Sequence, residues 1–260
     1  MKESSPLITV VIPSFNQGQF LEHNLKSVFA QSIPIEVFVV DGGSSDDSLD
    51  IIKKYQHLLS GWRSHKDNGQ AAAINEGVQM GKAPYVCWLN SDDFFYEGAL
   101  QELFAAIHEA PNSPFVYGQC NTTDAFGRDV AKYLTLPFNH YIFANFCFVC
   151  QPGTLIRREC WDAVGGLDEN LRMAMDYELW WKLANTFGKP RYVKSLVSAT
   201  RAHQAAKTLN NTDLHYQESM QVVKQYWGGV PAKWHWARPL MHCLRKIEFK
   251  YHQLRNKNER

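Results

Sequence analysis

The chain has 260 residues, of which 45% are hydrophobic and 20% charged, and its formal net charge is +1 at pH 7. This length is enough for one α/β domain with a buried core, and the composition excludes a disordered or fibrous protein. No apolar run reaches the roughly 20 residues of a membrane-spanning helix, and the N-terminus shows no secretory signal pattern. We therefore expect a globular, cytoplasmic protein.

The charge is distributed unevenly along the chain. Residues 233–260 contain eight Lys or Arg and two Glu, a net charge of +6, so residues 1–232 carry −5. An acidic body with a short basic tail is not the profile of a nucleic-acid-binding protein, and we expect no nucleic-acid partner. We predict one domain over residues 1–230 and a helical appendage over 231–260.

The first half of the chain alternates strand and helix patterns. Apolar runs predict strands over 7–12, 36–40 and 85–89, and helical patterns begin near 20 and 46 and cover 71–80 and 99–108. This alternation at short spacing predicts a mostly parallel sheet flanked by helices. In the less regular second half, we predict strands over 153–157 and 191–197, a helix over 176–186, a polar loop over 203–212 and a final helix to about 226.

Three of the predicted strands are followed by polar clusters, at residues 13–16, 41–44 and 90–93. Ligands of open parallel sheets bind at the carboxyl ends of the strands, so these clusters are expected to share one edge. Converging carboxylates repel one another unless a cation accompanies them, and a divalent ion that bridges Asp oxygens to phosphates meets this need. Turns and helix caps favour the same residue types, but two such motifs after consecutive strands favour the binding site.

The segment Asp67-Asn68-Gly69-Gln70 begins the helix predicted over 71–80. A helix N-terminus offers free N–H groups and partial positive charge to a phosphate. An ordinary helix cap has the same sequence, so the segment supports a nucleotide site without establishing one.

Six ordered motifs resemble those of the inverting glycosyltransferases of family two. They are residues 11–16, 40–46, 67–77, 89–93, 165–169 and 175–180, and the resemblance covers about residues 6–205. It implies an α/β GT-A fold and transfer of a sugar from a nucleotide-diphosphate donor, with a UDP-sugar favoured, to a glycan or polyprenyl-linked acceptor. The Asn-Ser-Asp-Asp form of the fourth motif is similar to bacterial enzymes of O-antigen, colanic-acid and other surface-polysaccharide assembly.

The same resemblance implies roles for individual residues. The donor site would comprise Pro13, Phe15, Asn16, Asp41, Asp67, Gln70, Asn75, Asn90 and Ser91. Within it, the ring of Phe15 would stack on the nucleobase and Asp41 would hydrogen-bond the base. Asn90 departs from the family pattern, because it stands where the DxD element has its first Asp and so removes one negative charge.

The implied metal is Mn²⁺ or Mg²⁺. Asp92 matches the metal-binding Asp of the DxD element, with Asp93 beside it. His203 would approach the metal or the diphosphate, although a lone His in a polar loop is also typical of a solvated residue. Lys207, in the same loop, matches a basic residue that covers the phosphates.

Asp176 matches the catalytic base of the family. Inversion requires the acceptor hydroxyl to attack the anomeric carbon opposite the leaving diphosphate, and a carboxylate on that side can remove the proton, a contribution of about 10² to 10⁴ in rate. An acidic residue in the first turn of a helix is also favoured by the helix dipole alone. The upstream motifs favour catalysis.

The tail pattern predicts a basic amphipathic helix within 231–260. Its apolar stripe comprises Trp236, Leu240, Leu244, Ile247, Tyr251 and Leu254. Such a helix suits the anionic cytoplasmic face of the inner membrane, but packing on its own domain or on a second subunit would give the same pattern.

Other functions are weighed against these motifs. A sugar nucleotidyltransferase usually has a Gly-rich loop with Arg where residues 13–16 lie, and a dinucleotide-dependent oxidoreductase needs a GxGxxG that is absent here. A non-catalytic sugar-nucleotide-binding partner remains an alternative because of Asn90, although Asp92 and Asp176 together oppose it. Cys147 and Cys150 form a CxxC without a second ligand pair, which favours free thiols over a zinc site.

Overall fold

The computed structural model describes residues 5–203, Lys207 and residues 211–235. The strands in this part of the chain are β1 (Ile8–Ser14), β2 (Ile35–Asp41), β3 (Gly61–Ser64), β4 (Tyr85–Trp88), β5 (Phe94–Phe95), β6 (Phe115–Thr123), β7 (Asp129–Lys132), β8 (Thr154–Arg157) and β9 (Arg191–Arg201). The helices are α1 (Gly18–Phe29), α2 (Ser48–Tyr55), α3 (Gln70–Met80), α4 (Ala99–His108), α5 (His140–Asn145), α6 (Arg158–Ala163), α7 (Met175–Phe187) and α8 (Thr212–Trp227).

The described strands form one sheet in the order β3-β2-β1-β4-β8-β6-β9-β5, with β7 paired to β6. The pairs β3–β2, β2–β1 and β1–β4 are parallel, as the alternating pattern predicts. Beyond β4 the sheet is mixed, because β8 runs antiparallel to both β4 and β6, whereas β9 is parallel to β6.

Strand β1 is buried along its whole length because helices cover both faces of the sheet. Val10 and Ile12 pack in one cluster with apolar residues of α1, α2 and α4, such as Leu25. Val11 points to the opposite face and packs with α3 and α7. The continuous apolar run at 7–12 is thus explained by a central strand between two helical layers.

Helix α7 contributes the largest side chains to the second layer. Trp180 and Trp181 are both fully buried, and the Trp180 ring stacks on Trp88 of β4 with 5.7 Å between centroids. This packing anchors the middle of α7 against the sheet and leaves its first turn near the edge where the strands end.

Strand β9 is longer than the sequence predicts, ending at Arg201 instead of 197. Residues 198–201 pair with residues 120–123 of β6. The sequence did not predict this part of the strand because residues 198–201 include polar side chains. The additional residues of β9 bring Arg201 and His203 to the edge of the sheet.

The tail is described only to residue 235. Lys233 Nζ donates to the Asn145 carbonyl at 3.1 Å and Trp234 Nε1 to the Ala144 carbonyl at 2.8 Å, so the start of the predicted appendage contacts α5. The rest of the predicted amphipathic helix, residues 236–260, lies outside the described residues. Among the described helices, none has the length and apolarity needed to cross a membrane.

Candidate active site

The first two polar clusters lie at one edge of the sheet. Ser14, the last residue of β1, pairs with Asp41, the last residue of β2. The side-chain oxygen of Asn16 then accepts a hydrogen bond from the Ser45 N–H at 2.8 Å, and the Asn16 N–H donates to Ser44 Oγ at 2.8 Å. Asn16 has a φ of 52°, a left-handed conformation that Asn adopts more readily than most residues. These bonds fix the loop after β1 on the loop after β2.

Phe15 protrudes from this edge. Its side chain is 61% exposed although it is a large apolar group, whereas Pro13 before it is buried within β1. A Cβ on Gly42 would lie 3.2 Å from the Phe15 ring and 3.4 Å from Asp67 Oδ2, so these three residues are neighbours. The Phe15 ring is exposed and its neighbour Gly42 has no side chain, so the ring offers a flat surface to a planar ligand.

The carboxylate of Asp41 organises the loop that follows it. It accepts hydrogen bonds from the N–H groups of Gly43 and Ser44 at 3.0 and 2.9 Å, from Ser64 Oγ at 2.7 Å and from the Ser44 hydroxyl. The residue is fully buried. The base-binding role implied for Asp41 stays a prediction.

Asp67 lies at the start of α3 and is held by an ion pair. Its Oδ1 accepts from the Gly69 N–H at 2.9 Å, and its Oδ2 lies 3.1 Å from Arg63 Nη1. Arg63 also pairs with Glu76 and donates to the Asp41 carbonyl at 2.6 Å. Asp67 thus fixes the N-terminus of α3, and Arg63 reduces the negative charge of Asp67 and Glu76 beside a predicted phosphate site.

The third cluster joins the same edge through Asn90. Its side-chain oxygen accepts from Gln70 Nε2 at 2.7 Å, and its Nδ2 donates to Asp93 Oδ2 at 3.2 Å. Gln70 is the first residue of α3. The amide of Asn90 therefore connects the end of β4 with the start of α3, and an Asp in its place would add a second charge beside Asp93.

Asp93, predicted as a metal ligand together with Asp92, faces inward, and metal binding by Asp93 stays a prediction. It is 4% exposed, and its Oδ1 accepts from the Arg201 N–H at 3.0 Å. Burial, together with the neighbouring Asp92 charge, holds the pKa of the Asp93 carboxyl well above its ordinary value. Ser91 is buried as well. The polar cluster after β4 exposes Asp92 and Asn90 more than the other two residues.

Asp92 is paired with His203, whose Nε2 lies 2.9 Å from Asp92 Oδ2. His203 is buried against Phe20, with 4.7 Å between ring centroids, and its Nδ1 has no hydrogen-bond partner among the described residues. The sequence left open whether His203 is solvated or lies at the site, and the structure places it at the site.

Asp92 and His203 supply a donor set that suits a divalent ion. No group of three or more His, Cys, Asp or Glu that could hold a metal occurs in the described part of the chain. The protein itself therefore offers one carboxylate and one imidazole, with the remaining positions left to phosphate and water. Mg²⁺ is usually bound by one or two carboxylates together with substrate phosphates and water, and imidazole nitrogen is a more usual ligand of transition metals.

Arg201 holds this pair in place, a role that the sequence did not indicate. Its Nε donates to the Asp92 carbonyl at 2.8 Å, its Nη2 lies 2.8 Å from His23 Nδ1, and its guanidinium lies over the rings of Phe20 and Phe94. Its position at the end of β9 could not be derived from the sequence, because that strand was predicted to end at 197.

Asp176 lies in the first turn of α7 and is half-buried. Its Oδ1 accepts from the Tyr177 N–H at 2.8 Å. Burial raises the pKa of the Asp176 carboxyl, and the nearby Lys207 ammonium opposes this shift. Lys207 Nζ in turn donates to Gln70 Oε1 at 3.1 Å. Lys207 therefore connects Asp176 with the network at the start of α3.

Asn75, on α3, binds the segment that contains the motif at 165–169. Its side chain exchanges two hydrogen bonds of 3.0 Å with the backbone of Leu167, and its Nδ2 also lies 3.0 Å from Glu169 Oε1. These bonds fasten the motif at 165–169 to α3. Donor binding by Asn75 stays a prediction, since its amide is already engaged with this motif.

The chain is similar to several known proteins. The model of glycosyl transferase family 2 matches residues 9–165, more than half of the chain. The chain is 22% identical over 257 residues to a chondroitin synthase of Escherichia coli, which covers 98% of this chain and 35% of that protein. It is 35% identical over 131 residues to poly(ribitol-phosphate) β-N-acetylglucosaminyltransferase TarP of Staphylococcus aureus, with coverage of 48% and 39%. The chain thus spans well under half the length of both relatives.

Two solved structures have the same fold. Staphylococcus aureus TarS in complex with UDP-GlcNAc superposes with a TM-score of 0.69 at 18% identity, over 93% of this chain and 73% of that chain. The mannosyltransferase PcManGT of Pyrobaculum calidifontis, in complex with GDP-Man and Mn²⁺, gives a TM-score of 0.67 at 16% identity, over 94% and 74%. The predicted GT-A fold is confirmed.

Proposed function

Because the chain belongs to glycosyl transferase family 2, we propose that it transfers a sugar, with inversion, from a nucleotide-diphosphate donor to a hydroxyl of a glycan or lipid-linked saccharide. The observation that carries the proposal is the Asp92–His203 pair, set at the same edge as the Gln70–Lys207 contact that leads to Asp176. The candidate metal and diphosphate site and the candidate base thus lie near one another, because Lys207 binds Gln70 and is close enough to Asp176 to lower its pKa.

The donor is proposed to lie across the ends of β1, β2 and β4. Phe15 offers the stacking face for the base, with Pro13 and Asn16 supporting its loop and Asp41 shaping the next one. We favour a UDP-sugar, as the sequence resemblance does, and TarS binds UDP-GlcNAc with the same fold, although PcManGT binds GDP-Man with it. The first turn of α3 and Lys207 supply the N–H groups and positive charge that a diphosphate requires.

A divalent ion, Mn²⁺ or Mg²⁺, is proposed to be held by Asp92 and His203. When bound, it stabilises the negative charge that grows on the departing diphosphate. The N–H of Arg201 and the amide of Asn90 keep Asp93 engaged, so Asp92 remains the carboxylate that faces the ligand. PcManGT provides an example of Mn²⁺ bound with a sugar nucleotide in this fold.

Asp176 is proposed to act as the general base. Its carboxylate takes the proton of the acceptor hydroxyl while that oxygen bonds to the anomeric carbon, and the bond between this carbon and the diphosphate oxygen breaks. The anomeric configuration inverts because attack and departure occur on opposite sides. Burial raises the pKa of Asp176, which makes the ionised carboxylate a stronger base than an exposed Asp.

The acceptor is proposed to be a growing surface polysaccharide or its lipid-linked precursor. The basic character of residues 233–260 fits an anionic membrane surface at which such an acceptor would be presented. If removal of residues 236–260 leaves binding to anionic vesicles unchanged, this part of the proposal is wrong.

The proposal is tested by incubating the protein with a panel of sugar nucleotides in Mn²⁺ or Mg²⁺. Release of nucleoside diphosphate is measured with and without saccharide acceptors, and the configuration of the product is read by NMR. We expect metal-dependent release for one donor and an inverted product. Binding of a nucleotide without release from any donor would favour the non-catalytic partner instead.

A further inference from the structure

Glu218 lies on α8 but forms its hydrogen bonds with the backbone that precedes α7. Its two carboxylate oxygens accept from the N–H groups of Arg172 at 3.0 and 3.1 Å, Met173 at 2.7 Å and Ala174 at 3.0 Å. Glu218 is only 7% exposed. Three consecutive N–H groups thus converge on one buried carboxylate that lies 44 to 46 positions away in sequence.

This carboxylate anchors the backbone that leads into α7 and accepts from one N–H of the helix end itself, that of the N-cap Ala174. Helix α7 begins at Met175, and Ala174 before it has no side chain able to accept a hydrogen bond. The first N–H groups of a helix lack partners within the helix, and those that are buried must be satisfied elsewhere. Ala174 is fully buried, so water does not substitute for Glu218 at its N–H.

We propose that Glu218 is a positioning residue for the transfer step, which holds the backbone at 172–174 and thereby fixes Asp176 relative to the acceptor hydroxyl. The inference rests on the proposed role of Asp176 as the base. It adds a residue of another helix, one that touches neither the donor edge of the sheet nor the Asp92–His203 pair through any contact in the described structure.

Lys207 connects Glu218 with the base a second time. Partial desolvation lowers the pKa of the Lys207 ammonium although the residue reaches solvent, and the Glu218 and Asp176 carboxylates both oppose this shift. The Glu218 charge thus acts on Lys207 only through space, as the Asp176 charge does. Loss of the Glu218 charge would act on the base mainly through the backbone at 172–174, to which Glu218 is hydrogen-bonded.

The packing of α8 on α7 does not depend on Glu218 alone. The Tyr226 hydroxyl donates to Glu178, and Asn185 Nδ2 donates to the Tyr226 carbonyl at 3.3 Å. Val222 and Val223 are buried in the same core cluster as α7. A substitution confined to the Glu218 carboxylate should thus leave the two helices packed and alter mainly the turn at 172–174.

The test begins with Glu218→Gln, which keeps the shape, removes the charge and places an NH₂ group among N–H donors. We expect kcat to fall by about tenfold to a hundredfold while the donor KM changes less than about twofold, since a misplaced reacting group costs rate without weakening the donor. Glu218→Asp retains the charge and should recover part of kcat. Glu109→Gln, at an exposed site with 71% side-chain exposure, is the matched control and should behave as the parent.

A double-mutant cycle with Asp176→Asn then separates positioning from general damage. If Glu218 acts through Asp176, Glu218→Gln has no further effect on the residual transfer of the Asp176→Asn protein, because coupled residues are not additive. The same fractional loss in both backgrounds would overturn the inference. If Glu218→Gln does not fold, the cycle with Glu218→Asp decides by the same criterion. Full activity of Asp176→Asn alone would instead refute the base in the proposed function.

Discussion

His203 Nε2 lies 2.9 Å from Asp92 Oδ2, although 111 positions separate the two residues in sequence. The contact exists because β9 extends to Arg201 beside β6 and so returns the chain to the end of β4, where Arg201 also binds the Asp92 carbonyl. An imidazole and a carboxylate in contact can share one divalent ion once the hydrogen bond between them is exchanged for metal bonds.

Asp92→Ala should weaken metal-dependent nucleotide binding by at least about tenfold, since even the outer-shell partners of metal ligands are worth about 10- to 100-fold in metal affinity. The remaining ligand, His203, is neutral when it binds a metal and cannot replace the lost charge. Calorimetric titration with UDP, in Mn²⁺ and in EDTA, measures the effect. Asp50→Ala on the exposed face of α2 is the control. An unchanged difference between Mn²⁺ and EDTA in the Asp92→Ala protein would exclude Asp92 as a ligand.

Asp176→Asn should reduce transfer by about 10² to 10⁴ while donor affinity stays within about twofold, because the amide keeps the size of the side chain but takes no proton. Single-turnover transfer to the true acceptor and nucleotide titration measure the two quantities separately. Near-normal turnover by the Asn variant would require another base.

The pH dependence of transfer should respond to Lys207. Burial raises the pKa of Asp176 and Lys207 lowers it, so removal of the ammonium in Lys207→Gln should raise this pKa further. The base acts only when ionised, so activity is lost as the pH falls through this pKa, and the acid limb of kcat should move to higher pH in the variant. The profile is recorded at saturating donor, because Lys207 is also proposed to face the diphosphate. A limb that stays in place or moves to lower pH would contradict the proposed coupling.

The sequence predicted the parts of the site that depend on local pattern. Helix α4 was predicted with both of its ends, and the clusters after β1, β2 and β4 meet at one edge as the topology rule requires. The resemblance also led to Asp92, Asp176 and His203, of which Asp92 and His203 are in contact. Side-chain direction was not predictable in the same way: Asp93 was predicted as a metal ligand, and its side chain faces inward onto the Arg201 N–H.

Contacts between distant segments of the chain could not be predicted from the sequence either. Nothing in the helical pattern of 212–227 marks Glu218 as the acceptor for the backbone that precedes α7, 44 residues earlier in sequence. The groups it binds are backbone N–H groups, which no side-chain pattern reveals. The role of Arg201 was missed for a related reason, since the polar end of a strand has the same composition as a loop. Hydrophobic periodicity indicates which residues of one helix or strand are buried. The roles of Glu218 and Arg201 depend instead on where another element begins or ends.

Gly77→Ala tests the close packing of α3 on the sheet. A Cβ at position 77 would lie 2.4 Å from Val11 Cγ1, nearer than real Cβ contacts allow, so Val11 or the helix must move. Helix propensity alone would make this change favourable by about 1 kcal/mol, but overpacking in a core costs typically about 1–3 kcal/mol, and we expect net destabilisation. Urea unfolding measures the free energy of unfolding, and Gln79→Ala on the exposed side of α3 should change it by less than about 0.5 kcal/mol.

The double variant Gly77→Ala/Val11→Ala should be more stable than the sum of the two single changes predicts, because the smaller side chain at 11 removes the clash that the new methyl creates. Stabilisation by Gly77→Ala alone would show that α3 can shift outward at little cost, and Gln70 at its first turn would then be less firmly fixed against Asn90 than the structure indicates.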